Sequence, residues 1–120
     1  TTEIYTLSLH DALPILFNKY LKCAFNPNVL TGWDSSPRTV QSDMFENRNY
    51  PFGPVVINNT PERFQEELQF AKDVLASEES RGQMVKLSCW NEWTEGAYLE
   101  PDTQYGYGFL QAVKNVFGAE

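Results

Sequence analysis

The chain has 120 residues, the size of one ordinary domain, so it is one folding unit or a piece of one. Hydrophobic residues make up 42% and charged residues 21%, a globular composition that excludes a disordered tail, a collagen-like repeat and a coiled coil. Sixteen acids against nine bases give a net charge of −7, so a nucleic-acid partner is not expected: duplex-binding modules carry a basic face. No stretch approaches the roughly 20 apolar residues that span a bilayer, so no membrane segment is expected. The two cysteines, Cys23 and Cys89, stand far apart in no metal-like spacing and read as separate buried thiols.

Residues 1–15, TTEIYTLSLHDALPI, are identical at all fifteen positions to one reading frame of a common sequencing-library adapter. They are expected to be non-native and are set aside like a fusion scar. The alternative is a genuine strand, EIYTLSL, ended by a turn at Pro14. His10 is the single histidine. With it and Asp11 set aside, the usual His-dependent metal and triad chemistries lose their support, and neither metal nor cofactor is expected. A reading frame that opens inside an adapter implies a gene without its beginning. Residues 16–120 are therefore expected to be the C-terminal part of a longer chain, with compartment and oligomeric state left open.

In chain order, Phe17, Tyr20, Leu21 and Ala24 have helical spacing, and Asn26, Pro27 and Asn28 stop that helix. Val29, Leu30 and Thr31 read as a strand that runs into the loop Gly32-Trp33-Asp34-Ser35-Ser36-Pro37-Arg38. From Thr39 to Phe52 the chain is polar and aperiodic, a loop of a length that is usually functional or mobile. A β-branched run, Val55 to Ile57, precedes Thr60-Pro61-Glu62, which has the marks of a helix start: a hydroxyl cap, proline at the first position and an acid near the positive end of the dipole. Phe64, Leu68, Ala71 and Leu75 give that helix one apolar face from about Pro61 to Ser77. Met84 to Trp90 is a strand whose mixed pattern suits burial among other strands. Asn91 to Tyr105 is acidic and turn-rich, and Tyr107 to Phe117 is a last amphipathic helix.

Strands alternating with helices predict an α/β fold with βα units in a parallel sheet. A closed eight-fold barrel needs about 250 residues, so this chain would supply about the last two βα units of a (β/α)8 TIM-type barrel. Alone, such a piece leaves parallel strands with open edges, and independent folding is not expected.

The chemistry gathers in CWNEWTEGAYLEPD, Cys89 to Asp102. Three carboxylates, Glu92, Glu95 and Glu100, stand among Trp90, Trp93 and Tyr98 directly after a strand, where α/β enzymes build their sites. Glycoside chemistry needs two carboxyl groups flanking the sugar, and aromatic rings stack on sugar faces and lower the local dielectric. Along an extended chain Glu92 and Glu95 would stand about 10 Å apart on opposite faces, at roughly 3.3 Å per residue. Serving one sugar requires the backbone to turn, and Thr94 with Gly96 permits it. Spacing alone equally allows a solvated acidic loop with tryptophan as core filler.

NEWTEGAYLEPDTQYGYGFL resembles the C-terminal signature of the glycoside hydrolase family 99-like domains, including WbsX-like proteins of polysaccharide biosynthesis. GWDSSPR and NNTPERF resemble their upstream loop and following helix, in the same order. The resemblance runs from about Leu30 to Phe117 and implies a (β/α)8 barrel acting on an oligo- or polysaccharide of mannose-type or related sugars. It further implies that Glu92 is the base toward the sugar's own 2-hydroxyl, which closes on the anomeric carbon. Glu95 would be the general acid and afterwards the base for water, with retention of configuration. The sequence departs from the endo-mannosidase members at Thr94, where they carry histidine, and over Ala97 to Leu99. The leading expectation is a retaining, endo-mannosidase-like glycoside hydrolase. The alternatives are a WbsX-like glycosyltransferase of surface polysaccharide and a non-catalytic glycan-binding barrel.

Other candidates for substrate binding surround the pair. Trp33 reads as a stacking platform and Asp34 as a hydroxyl acceptor, or else Asp34 caps a turn. Arg38 can pair with a site carboxylate, with an acidic sugar, or in a structural ion pair. Asn91, Trp93 and Tyr98 flank the acids, and Glu100 either binds a sugar hydroxyl or holds the loop. Tyr50, Tyr98 and Tyr105 read as subsite aromatics or as packing.

Overall fold

The Thr60 side chain opens the first helix as its residue type dictates: its Oγ1 accepts the N–H of Arg63 at 3.4 Å, and Pro61 and Glu62 follow. The Thr60 hydroxyl and the backbone N–H of Glu62 hold the Glu62 carboxyl below its usual range. The structure is a computed structural model and describes residues 20–39, 49–78 and 80–118. Residues 1–15 lie outside these, as does most of the helix expected over 16–25. Of its remaining positions, 22–25 carry no regular structure.

Helix α1, Pro61–Ala76, buries Pro61, Phe64, Leu68 and Ala71, the three-and-four repeat of one helical face. Helix α2, Gly108–Phe117, buries Phe109, Ala112 and Val116. The two faces meet, with Phe64 and Phe109 edge to face at 5.6 Å, while Lys72 Nζ donates to the Val116 carbonyl at 2.5 Å near the negative end of α2. Val29 and Leu99 complete the core.

Strand β1, Asn28–Leu30, runs parallel to β2, Lys86–Ser88, in the register Asn28 to Lys86, Val29 to Leu87 and Leu30 to Ser88. Helix α1 lies between them in sequence and packs on β1, so β1, α1 and β2 form a βαβ unit. A second sheet is the antiparallel pair β3, Asn91–Glu92, and β4, Ala97–Tyr98. Among the described residues the chain is thus a small α/β domain with two α-helices and two short two-stranded sheets.

Two expectations need correction. The strand foreseen over Met84 to Trp90 is regular only over Lys86–Ser88, and both ends of that stretch, Met84 and Trp90, are exposed. Its pattern suits two neighbours, but among the described residues β2 has only the three-residue β1 beside it. Cys23 and Cys89 are exposed rather than buried, because neither lies on a face covered by the helices. The run Val55 to Ile57 joins neither sheet; Val56 N–H donates to the Trp33 carbonyl at 2.8 Å, and all three side chains are exposed.

Candidate active site

Parallel strands release their loops at one end, and here the loops after β1 and β2 meet. The first runs from Thr31 through a 3-10 turn at Ser36–Arg38. Within it Asp34 Oδ1 accepts the Ser36 N–H at 2.9 Å and shapes the turn, while the Asp34 N–H donates to the Glu95 carbonyl at 2.7 Å. The second loop is the β3–β4 hairpin. Its tip is a 3-10 turn, Trp93–Glu95, closed by Gly96 at φ +60°, with the Gly96 N–H on the Trp93 carbonyl. The backbone turn that the Glu92–Glu95 spacing requires is therefore present, and Gly96 supplies the left-handed residue.

Arg38 gathers the two glutamates. Its Nη2 lies 3.1 Å from Glu92 Oε1 and its Nε 3.2 Å from Glu95 Oε1. Nη2 also donates to Thr94 Oγ1 at 2.8 Å, and the Thr94 hydroxyl donates onward to Glu92 Oε1 at 3.4 Å. Held on one guanidinium, the two engaged Oε1 atoms lie at most about 9 Å apart, close enough for both carboxylates to serve one sugar. The side chain of Glu95 is the more enclosed, at 15% exposed against 44% for Glu92. The contacts of both glutamates with Arg38, Thr94 and Tyr50 run through their Oε1 atoms.

Aromatic groups flank the pair. Trp93 stacks on Tyr98 at 3.8 Å and 16°, and its Nε1–H donates to Glu100 Oε2 at 2.7 Å. Stacked on one side and tethered through its N–H, the half-exposed indole is held in one orientation. The Tyr98 hydroxyl in turn donates to Asp102 Oδ2 at 3.0 Å. Burial, with Asp102 beside it, pushes the Tyr98 phenol above its ordinary pKa. Burial alone would also raise Asp102. The Tyr105 N–H, the Tyr98 hydroxyl and the N–H groups of Gln104 and Gly106 outweigh it, and the carboxyl lies below its usual range.

Of the residues singled out in the sequence, Arg38, Glu92 and Glu95 come together, with Thr94 between them. Trp93, Tyr98 and Glu100 form an adjoining aromatic and acidic group. Asp34 joins through its backbone; Trp33 is half-buried beside it, and Asn91 stands exposed at the start of β3. One member was read only as a subsite aromatic or packing: the Tyr50 hydroxyl donates to Glu95 Oε1 at 2.6 Å. No spacing signal connects residues 45 positions apart. Among the described residues no group of three or more His, Cys, Asp or Glu is placed to hold a metal ion, and no helix is long and apolar enough to cross a membrane.

Comparison with known proteins assigns the chain to a carbohydrate-active class. It belongs to the family described as Glycosyltransferase WbsX, whose model matches residues 11–113. Two curated relatives, each called uncharacterized protein WxcX, come from Xanthomonas campestris pv. campestris strains B100 and ATCC 33913. Each is 35% identical to this chain over 89 residues, 73% of its length. That stretch is 11% of each relative, so the chain spans about a tenth of the proteins it matches. No solved structure matches.

Proposed function

We propose that this chain carries the reactive carboxyl pair of an enzyme that transfers a glycosyl unit to a hydroxyl of an oligo- or polysaccharide. The observation that carries the reading is Arg38 drawing Glu92 and Glu95 together where the loops after two parallel strands converge. The family description favours a sugar hydroxyl over water as the acceptor. In this reading Glu95 gives its proton to the departing oxygen as the bond to the anomeric carbon breaks. Glu92 takes the proton of the donor sugar's 2-hydroxyl, whose oxygen closes on that carbon. Glu95, now ionised, accepts the proton of the incoming hydroxyl as that oxygen bonds to the carbon and the bond from the carbon to the 2-oxygen breaks, and Glu92 returns its proton to the 2-oxygen. The Oε2 atoms are the ones these protons reach, since each Oε1 is already engaged. Trp93, backed by Tyr98 and tethered by Glu100, offers a stacking face. Trp33, Asn91 and the Asp34 loop would line the sugar's approach.

Hydrolysis is the second reading and uses the same groups with water as acceptor; two carboxyl groups held close together on one guanidinium favour it. Both readings have the chain complete the C-terminal part of a (β/α)8 barrel. The parallel β1–β2 pair and the small share of the relatives' length support this. In the full-length protein, Glu92→Gln and Glu95→Gln are each expected to lower turnover by about 10²–10⁴-fold with little change in thermal midpoint. Parental turnover in both variants would contradict the proposal. Undiminished glycan binding by a parent that turns nothing over would mark a binding barrel instead. Analysis of the products separates transfer from hydrolysis.

A further inference from the structure

Tyr50 lies in a tight turn in which the Phe52 N–H donates to the Asn49 carbonyl at 2.7 Å. Asn49 has φ +74°, a conformation asparagine tolerates better than most residues. The turn is tied to the loop after β1, because the buried Ser35 hydroxyl donates to the Pro51 carbonyl at 2.5 Å. Tyrosines kept for packing bury their rings, yet this one is 58% exposed and directs its hydroxyl to Glu95 Oε1 at 2.6 Å. The same oxygen meets Arg38 Nε at 3.2 Å. Glu92 is held differently, with its Oε1 meeting Arg38 Nη2 and the Thr94 hydroxyl and receiving nothing from Tyr50.

We propose that Tyr50 is a positioning residue for Glu95: it pins Oε1 and leaves Oε2 as the oxygen presented to the sugar. The assignment rests on the glycosyl-transfer reading for the use of that oxygen. The two glutamates then share Arg38 but differ in their second donor, a phenol for the enclosed Glu95 and a threonine hydroxyl for the open Glu92. That asymmetry gives the paired acids separate tasks. Donation to Glu95 also accounts for the Tyr50 phenol lying above its ordinary pKa, as the hydrogen bond to a carboxylate favours the protonated phenol.

The test is chemical labelling of carboxyl groups in the full-length protein with a water-soluble carbodiimide and glycine ethyl ester, read by peptide mass spectrometry at one fixed pH. Tyr50→Phe keeps the ring and removes the donor. It is expected to raise Glu95 labelling about tenfold, the scale of a hydrogen bond to a charged group, with Glu92 changed less than about twofold. Arg38→Lys, the second variant, is expected to raise labelling at both glutamates. Unchanged Glu95 labelling in Tyr50→Phe, or an equal rise at Glu92, would overturn the assignment, because general loosening does not discriminate between the two. The readout needs no turnover. Its failure is therefore distinct from failure of the glycosyl-transfer reading, which the Glu95→Gln turnover measurement decides.

Discussion

Asp102 has more hydrogen-bond donors around it than any other carboxylate of the loop, and the consequence is a pH-dependent stability. Its folded-state pKa is lowered, so its stabilising contribution is complete above the ordinary aspartate value of about 3.9 and is lost as pH falls through the folded value. Its partner Tyr98 has a raised pKa, so the neutral phenol's contribution is complete below about pH 10 and fades as pH rises through the folded value. Thermal melts of the full-length protein and of Asp102→Asn should differ at neutral pH and converge in acid. A gap that stays constant down to the most acidic pH at which both fold would refute this. The sequence left Asp34, Arg38 and Glu100 each with more than one reading. The structure gives Asp34 a turn to shape, Arg38 a pair of carboxylates and Glu100 an indole N–H. The role of Arg38 was not legible because it depends on a contact that only the meeting of two loops creates; Asp34 and Glu100 act within their own loops, where residue type alone left the alternatives open.

At the scale of elements, helices α1 and α2 were legible and the strands only in part, while the helix expected over 16–25 is absent from its positions 22–25. Helix α1 follows from Thr60, Pro61 and a repeat of apolar residues, all local signals that burial then reinforces. Strand β2 is shorter than its apolar run because strand length is set by the neighbour. The Glu92–Glu95 turn was legible through Gly96, whose φ of +60° is the conformation its residue type permits. The partner of that turn was not, since nothing in the spacing places Gly32 against it. A Cβ on Gly32 would stand 2.5 Å from the Gly96 carbonyl oxygen and 2.6 Å from Asn59 Nδ2. Gly32→Ala is therefore expected to destabilise by about 1–3 kcal/mol and to part the two loops. The measurement is chemical denaturation of the full-length protein together with turnover. Parental stability and turnover in this variant would mean the loops do not need so close an approach.

The whole molecule is asymmetric. One side of the parallel pair is covered by α1, but Leu30 at 46% and Ile57 at 75% stand exposed near strands that have no further partner among the described residues. Parallel sheets are normally covered on both faces, and the relatives, of which the matched stretch is 11%, have ample sequence beyond it to do this. The barrel proposal draws on that geometry and assigns the exposed apolar groups to contacts with neighbouring strands. It also fixes what the site must look like when complete: one cleft at the C-terminal strand ends, with both carboxyl groups in its wall. An experimental structure of the full-length protein soaked with an oligosaccharide measures this most directly. The expected result is Glu92 and Glu95 facing the bound sugar with carboxyl groups about 5–9.5 Å apart. A sugar bound elsewhere, or either carboxyl turned out of the cleft, would contradict the account.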